Sequence, residues 1–290
     1  MKAAILDSAL DSGKRRKTGV GFLLRLSCST LCFTQLPLDE ALQRIGQLGF
    51  RYVDLGVQHW AHVSAPGLVI SGEGFATSLQ RGLAQHNLAL GTMNVGLDRN
   101  TDASLEKQTA AVCALAAAHN VPAVCINAPP NGTPLGAAIG ELRQLAAVAA
   151  RYDVTLCLET HVNCLTELPA VAVRLVESVP NLGLALDPSH FYAGPWQGRD
   201  FSITYPHTRI VHLRDAGNSP DQILVPPGEG IVDFAGLLRG LVQSGYAGTL
   251  SVEYIDTRVS PEAYDDHVAH VTEMASLAKR ILTKLKAPFS

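Results

Sequence analysis

The sequence predicts an α/β protein whose main domain folds as a (β/α)8 barrel, the TIM barrel architecture. Three observations support this prediction. Eight apolar runs of strand length alternate along the chain with segments of helical length. Several of these runs alternate, residue by residue, between bulky apolar and small or polar side chains, as a strand with two different faces does. Of the 290 residues, 47% are hydrophobic and 17% charged, so the chain can bury a large core.

The predicted elements follow one another as strand and helix from residue 24 to residue 286. The strands are expected at 24–29, 52–57, 88–95, 123–127, 154–159, 182–187, 210–215 and 249–254. The helices are expected at 38–47, 74–86, 104–119, 136–152, 166–178, 233–244 and 261–286. Gly49 and Gly245 follow helical patterns and come shortly before strands, where helices commonly end in glycine. A short stretch interrupted by proline and glycine joins the sixth strand to the seventh, so one helix is expected to be weak or missing after the sixth strand.

The alternation within the strands favours a barrel over a doubly wound open sheet, the main alternative. In the run 154–159 the even positions are bulky and apolar and the odd positions small or polar, and the runs 182–187, 209–214 and 249–253 show the same alternation. A parallel strand between two helix layers should be apolar on both faces. A barrel strand turns one face to the helices and the other to the barrel interior.

No linker or change in composition divides the chain. We therefore expect a flexible basic tail at 1–20 and a single TIM-barrel catalytic domain at 21–290. The tail contains four consecutive basic residues at 14–17, and such runs of like charge rarely pack. A twin-arginine export signal is the alternative, but Arg25 interrupts the apolar run that follows, and no small-residue cleavage site comes after it.

The composition argues against two classes of partner. The formal net charge is −3 and the pI about 6.4, so the chain lacks the excess of positive charge that drives bulk binding to nucleic acid. No apolar run approaches the roughly 18 residues of a membrane-spanning helix.

The six cysteines form no CxxC pair and most lie among apolar neighbours, which is typical of reduced, buried thiols. We expect a cytoplasmic protein with neither nucleic acid nor membrane as a partner.

Four metal-capable side chains end the inward faces of the last four strands: Glu159, Asp187, His212 and Glu253. The C-terminal ends of parallel barrel strands meet at one rim, where active sites form. Three carboxylates packed together would repel one another, and a divalent cation removes that conflict. Oxygen-rich ligation with one nitrogen suits Mn²⁺, Mg²⁺ or Co²⁺ better than a structural zinc.

Three further residues extend this predicted site. His190 follows the second carboxylate by three residues and is a candidate either to orient a ligand or to contact substrate. Arg214 shares the inward face of its strand with the histidine ligand; it is expected to pair with Asp215 or Glu253 or to hold substrate oxygens. His161 keeps the inward phase two residues beyond the first ligand.

Two loops are also candidates for substrate contact. His59 and Trp60 follow the second strand and could cover a sugar ring, although a loop aromatic packed on the rim explains them equally well. The Pro-Pro-Gly-Glu-Gly loop at 226–230 follows the seventh strand, and its glycines fit a turn or a close backbone approach. The chain has neither a P-loop nor a GxGxxG after a strand, so a nucleotide cofactor has no support.

Five short motifs resemble the sugar phosphate isomerase/epimerase family of the xylose-isomerase-like TIM barrel superfamily. In chain order they are Leu-Glu-Thr-His (158–161), Leu-Asp-Pro-Ser-His (186–190), His-Leu-Arg-Asp (212–215), Pro-Gly-Glu-Gly (227–230) and Ser-Val-Glu-Tyr (251–254). The resemblance covers most of residues 22–285. It implies that the four predicted ligands hold one divalent metal ion, often Mn²⁺, with Zn²⁺ a further candidate. It also implies that His190 and Arg214 contact substrate oxygens.

For activity, the resemblance implies that Glu159 and Glu253 transfer protons on opposite faces of the substrate. We expect a divalent-metal-dependent sugar isomerase or epimerase of carbohydrate metabolism, acting on a keto-sugar or related polyol ketone through a metal-bound enediolate. The alternative is a lyase or dehydratase of the inosose or 3-keto-sugar type with the same metal site. Ketose 3-epimerases carry a further glutamate where this chain has Leu165. A homo-oligomer, dimer or tetramer, is expected from the resemblance alone.

Two other functions remain alternatives. One is a non-catalytic barrel that binds a sugar or serves as a subunit of a larger complex. The other is a phosphodiesterase of the endonuclease IV type, which shares the second half of the metal site. Its additional zinc ions need histidines near the ends of the third and fourth strands, where this chain has Asn94 and Asn127.

Overall fold

The computed structural model describes residues 23–255 and 264–290, with the side chains of 264–266 excepted. The basic tail predicted at 1–20 and the first residues of the predicted last helix lie outside the described residues.

Eight parallel strands close into a barrel. They are β1 (Arg25–Ser29), β2 (Tyr52–Val57), β3 (Ala89–Val95), β4 (Ala123–Ile126), β5 (Thr155–Glu159), β6 (Leu182–Leu186), β7 (Thr208–Leu213) and β8 (Thr249–Val252). Each strand pairs with the next in the chain, and β1 pairs with β8. The (β/α)8 prediction is thereby confirmed, and the open sheet is excluded because no strand of the ring has a free edge.

Helices follow the strands on the outside of the ring. They are α1 (Leu38–Gln47), α2 (Ala65–Gln85), α3 (Leu105–Ala118), α4 (Leu135–Ala150), α5 (Pro169–Ser178), α6 (Pro188–Ala193), α7 (Phe234–Gln243) and α8 (Tyr264–Lys284). The weak helix expected after the sixth strand is α6, six residues long and followed by a 3-10 turn.

Helix α2 is longer than the sequence pattern predicts. It begins at Ala65, where the side chain of Ser64 accepts a hydrogen bond from the backbone of Gly67, and it is kinked at Ser71. The predicted helix at 74–86 covers only the part after the kink. Glycines at 67, 72 and 74 weaken the helical pattern of the first part.

The two faces of the strands bury different side chains. The outward residues of β5, such as Leu156 and Leu158, belong to the main core between the strands and the helices. The inward residues Cys125, Cys157 and Ile210 form a separate cluster with two alanines inside the barrel. The barrel interior is therefore filled by small and medium-sized side chains in its lower part. The four predicted ligand residues lie at or near the C-terminal ends of their strands.

The helices and the cysteines of the described residues have two further features. Within the described residues, every helix is too short or too polar to cross a bilayer. All six cysteines are free, and five of them are buried.

Candidate metal centre

The four predicted ligand residues meet at the C-terminal end of the barrel. Glu159 is the last residue of β5, Asp187 directly follows β6, and Glu253 directly follows β8. His212 lies within β7. All four are buried, and each offers a ligand atom within 4.8 Å of the others. Because four consecutive strands each contribute one side chain, the closed barrel itself fixes their convergence.

One ring nitrogen of His212 faces both glutamates. This nitrogen, Nδ1, is 2.9 Å from Oε1 of Glu159 and 3.5 Å from Oε2 of Glu253. The other oxygen of Glu253 accepts a hydrogen bond of 2.7 Å from the side-chain amide of Asn94, whose own oxygen accepts one from Gln58. Glu253 is therefore oriented by a chain of two amides reaching in from β3 and the loop after β2.

Asp187 is held from two sides. Asp187 caps helix α6: its Oδ1 accepts hydrogen bonds from the backbone N–H and the hydroxyl of Ser189, in the first turn. Its Oδ2 lies 2.6 Å from Nη2 of Arg214, and Nε of the same guanidinium donates to the hydroxyl of Ser189. The expectation that Arg214 pairs with Asp215 is wrong, because the guanidinium reaches across to the end of β6. Its distance to Glu253 Oε2 is 3.8 Å.

Asp215 instead organises the loop that contains the Pro-Gly-Glu-Gly motif. Its carboxylate accepts hydrogen bonds from the backbone N–H groups of Ala216, Gly228, Gly230 and Val232. A Cβ at Gly230 would collide with this carboxylate, and Gly228 has a φ of +89°. The two glycines are therefore required by the fold of the loop.

The buried charges shift the ionisation of the ligand residues in opposite directions. Burial by itself raises the pKa of Glu159, but the hydrogen bond and the charge of His212 hold it well below its usual value. Burial by itself lowers the pKa of His212, but the charge of Glu253 and the bond to Glu159 raise it to about 10. Burial raises the pKa of Glu253 to about 7, against the attraction of the neighbouring cations.

Two further carboxylates take part in this balance. Burial would raise the pKa of Asp187, but the charge of Arg214 lowers it. Asp54, on the inward face of β2, is fully buried below the site. Burial raises the pKa of Asp54, and the charge of His212 and a hydrogen bond from Ser251 oppose the rise.

These residues fit a divalent cation. In the described part of the barrel, four buried carboxylates meet two cationic side chains, and an excess of buried negative charge is costly. A divalent cation would reduce that excess, because it adds two positive charges while His212 gives up only one on binding the ion. Three carboxylates and one imidazole form a donor set that suits Mn²⁺, Mg²⁺, Co²⁺ or Zn²⁺. Glu159, Asp187, His212 and Glu253 would hold the ion.

A thiol lies close to the same atoms. Sγ of Cys125 is within 4.8 Å of ligand atoms of Glu159 and His212. Burial raises the pKa of this thiol well above its usual value. The thiol is therefore protonated at neutral pH in the metal-free protein.

The residues predicted to contact substrate occupy two different settings. His190 is buried, and its Nε2 accepts a hydrogen bond of 2.6 Å from Arg214. Burial lowers the pKa of His190 to about 3, so its ring is neutral. The ring of His161 stacks on it at 3.8 Å between centroids. His59 and Trp60 lie exposed on the loop after β2, and their contact with substrate stays a prediction.

Sequence reasoning missed four residues that support the site. Asp54, Gln58 and Ser189 were not singled out, and Asn94 was considered only as a replacement for a zinc-binding histidine. Asp54 could have been found by the alternation already used for the other strands, because 53, 55 and 57 are apolar and 54 faces inward. The same alternation in β3 places Asn94 inward, because Met93 and Val95 belong to the outer core. The contacts of Gln58 and Ser189 depend on segments that follow the strands.

Comparison with known proteins agrees with the barrel fold. Residues 42–274 match the model of a family described as xylose isomerase-like TIM barrel. A curated inosose isomerase from Halalkalibacterium halodurans is 31% identical over 129 residues, 40% of this chain and 44% of that protein. The matched region thus spans less than half the length of that relative.

Two solved structures show the same fold at low sequence identity. The IOLI protein with a bound zinc atom is 20% identical, with a TM-score of 0.67 over 90% of this chain and 99% of that one. A probable 3-DHS dehydratase, AsbF, from Bacillus anthracis is 19% identical, with a TM-score of 0.65 over 86% and 97%. The family match extends over four fifths of the residues, and the strands close as that architecture requires. The chain belongs to the xylose isomerase-like TIM barrel family.

Proposed function

We propose that this protein is a divalent-metal-dependent sugar isomerase or epimerase that acts on a keto-sugar or a related polyol ketone. The observation that carries the proposal is the convergence of Glu159, Asp187, His212 and Glu253 at one end of the barrel. The match to an inosose isomerase over 40% of the chain supports the class of reaction.

Two carboxylates are available to move the proton. Glu159 and Glu253 both approach Nδ1 of His212, from strands that are not neighbours in the barrel. One removes the proton from the carbon next to the substrate carbonyl, and the other returns a proton to the opposite face or to the neighbouring carbon. Return to the opposite face gives an epimer, and return to the neighbouring carbon gives an isomer. A bound divalent cation supplies the positive charge that makes this C–H bond acidic.

Arg214 and His190 are suited to hold the oxygens of the substrate. The guanidinium of Arg214 is fixed by Asp187 and Ser189, so its orientation is set before any substrate arrives. His190 is neutral and packed between Arg214 and the ring of His161. We propose that these groups position the hydroxyl and carbonyl oxygens, and that His59 and Trp60 cover the sugar from the loop after β2.

A lyase with the same first step is the second candidate. Leu165 stands where ketose 3-epimerases carry a further glutamate, so the chain departs from the pattern of enzymes that epimerise free ketoses. In this structure Leu165 packs against the hydrophobic core. Loss of a hydroxyl from the β-carbon, with a proton to form water, would then follow proton removal. The result is dehydration of an inosose or 3-keto-sugar.

We propose Mn²⁺ as the preferred ion, because its ligand preferences match an oxygen-rich set with one imidazole. Zn²⁺ and Mg²⁺ are the alternatives, and the IOLI protein of the same fold binds zinc. We also keep two further predictions: that the chain forms a homo-oligomer, and that it works in the cytoplasm, where its six free thiols stay reduced.

The test is hydrogen exchange into ketoses and inososes in D₂O. Mn²⁺-loaded protein should place solvent deuterium on the carbon next to the carbonyl, and both Glu159→Gln and Glu253→Gln should abolish this exchange. Glu141→Gln is the matched control, since it makes the same change in a carboxylate of α4 that pairs with Arg99 outside the site. Mass spectrometry of the products separates an isomer or epimer from a dehydrated product.

Two results would count against the proposal. Full exchange in either glutamine variant would show that the replaced residue is not an obligatory base. Absence of exchange across the panel, in protein that holds one Mn²⁺ ion, would favour a barrel that binds a sugar without turning it over.

A further inference from the structure

His212 has a second ring nitrogen that the metal centre does not use. Its Nδ1 faces the carboxylates of Glu159 and Glu253, whereas its Nε2 points down into the barrel. Nε2 is fully buried and has no hydrogen-bond partner among the described residues. A buried N–H without an acceptor costs free energy, so we expect an acceptor near this nitrogen.

The carboxylate that faces Nε2 is Asp54. Its Oδ2 lies 4.0 Å from the nitrogen, and both side chains are completely buried. The same oxygen accepts a hydrogen bond of 2.8 Å from the hydroxyl of Ser251, which sits on β8 two residues before Glu253. Asp54 is therefore fixed by β8 at a position below the imidazole.

The donor and acceptor roles of the ring change when a cation is held. In the structure Nδ1 is within hydrogen-bond distance of Glu159, 2.9 Å away. A nitrogen that holds a cation offers its lone pair and carries no proton, so the ring proton must then be on Nε2. Oδ2 of Asp54 needs to approach by only about 1 Å to accept a hydrogen bond from it.

We infer that Asp54 is a positioning residue of the metal centre: it accepts the Nε2–H of His212 and so directs Nδ1 toward the cation. This inference rests on the proposed metal site. Carboxylates often hold metal-binding histidines in this way, and their loss commonly weakens metal affinity 10- to 100-fold. Asp54 is not one of the four convergent ligands, and it lies on the opposite side of the imidazole from them.

The experiment compares Mn²⁺ binding by the wild-type protein with binding by Asp54→Asn and Asp54→Leu. Isothermal titration gives the dissociation constant, and the visible spectrum of the Co²⁺-loaded protein reports the ligand geometry. Thr92→Val is the matched control, because Thr92 pairs with Asp54 in the β2–β3 register and is buried like it, while its hydroxyl bonds to Ala123.

We expect the leucine variant to bind Mn²⁺ about 10- to 100-fold more weakly, with a changed Co²⁺ spectrum. The asparagine variant keeps an acceptor oxygen without the charge, so its loss should be smaller. The valine control should bind as the wild type does. A purely structural role would lower the denaturant midpoint of the metal-free protein and leave both metal readouts unchanged.

Three outcomes decide the matter. Weaker binding in the order Asp, Asn, Leu supports the inference. The inference is overturned if Asp54→Asn keeps the wild-type affinity and spectrum and the Mn²⁺ dissociation constant of Asp54→Leu changes less than threefold. The proposed function would still stand. If the wild-type protein itself fails to bind Mn²⁺, the proposed metal site and this inference fall together.

Discussion

Replacing Glu253 by glutamine should make the metal-free protein more stable and remove most of its response to a divalent cation. Burial raises the pKa of the Glu253 carboxyl from its ordinary 4.5 to about 7, although the charges of His212 and Arg214 oppose the rise. Ionising the Glu253 carboxyl therefore costs more free energy in the native state than in the unfolded chain.

The size of the effect follows from that difference. At pH 7 the two pKa values correspond to ~3 kcal/mol of lost stability. Glutamine has the same shape, needs no ionisation and keeps an oxygen that can accept the hydrogen bond from Asn94. Its NH₂ group would face the N–H donors of His212 and Arg214, which costs about 1 kcal/mol. We expect the metal-free variant to be more stable than the wild type by about 1–3 kcal/mol.

The pH dependence has a definite sign. The folded-state pKa of Glu253 is raised, so its cost is absent below pH 4.5 and fully present above pH 7. The advantage of Glu253→Gln should therefore shrink steadily as the pH is lowered from 8 to 5. With Mn²⁺ at 100 times its dissociation constant, the wild type should gain about 2.7 kcal/mol and the variant much less.

Urea unfolding of chelator-treated protein at pH 8, 7, 6 and 5, with and without Mn²⁺, measures each of these quantities. Glu141→Gln, at a surface ion pair, serves as the control and should change stability by less than ~1 kcal/mol without a trend in pH. The reasoning is refuted if metal-free Glu253→Gln is less stable than the wild type at pH 8, or if the difference does not vary with pH.

Two further predictions concern the frame of the site. Asp215→Ala removes the acceptor of four backbone amides and should lower the free energy of unfolding by ~3 kcal/mol or more. A loss below ~1 kcal/mol in urea unfolding would show that the loop at 226–230 does not depend on the Asp215 carboxylate. Gly56→Ala would place a Cβ against the buried side chain of Leu31 and should lower the free energy of unfolding by about 1–3 kcal/mol. Gly140→Ala, in open space on α4, is the control and should be neutral or stabilising. Equal thermal midpoints for the two variants would contradict the prediction.

The fold and the convergence of the four candidate ligands were accessible from the sequence because both depend on strand periodicity. In β5 to β8 the alternation of faces assigns each residue to the barrel interior or to the helix layer, and the parallel order brings the strand ends together. Glu159, Asp187, His212 and Glu253 could thus be grouped without any knowledge of loops. Metal binding by these residues stays a prediction.

Contacts made beyond the strand ends could not be obtained in this way. Arg214 leaves β7 and turns toward Asp187, a direction set by the short helix α6 and by Ser189. The sequence pattern pointed to Glu253, which lies 3.8 Å away, and to Asp215, which does not pair with it, but not to Asp187. The first part of α2 was missed because its glycines hide the helical pattern and a kink interrupts it. Asp54 lies in the middle of β2, whereas the sequence search considered the ends of strands.

Metal content per chain tests the central claim most directly. Protein purified without chelator should be analysed for Mn, Co, Mg and Zn by elemental analysis, as isolated and after reconstitution with Mn²⁺. We expect close to one divalent ion per chain in the wild type, and much less than one in Asp187→Asn and His212→Gln. About three zinc ions per chain would point to phosphodiester hydrolysis instead, and no bound metal after reconstitution would contradict the account.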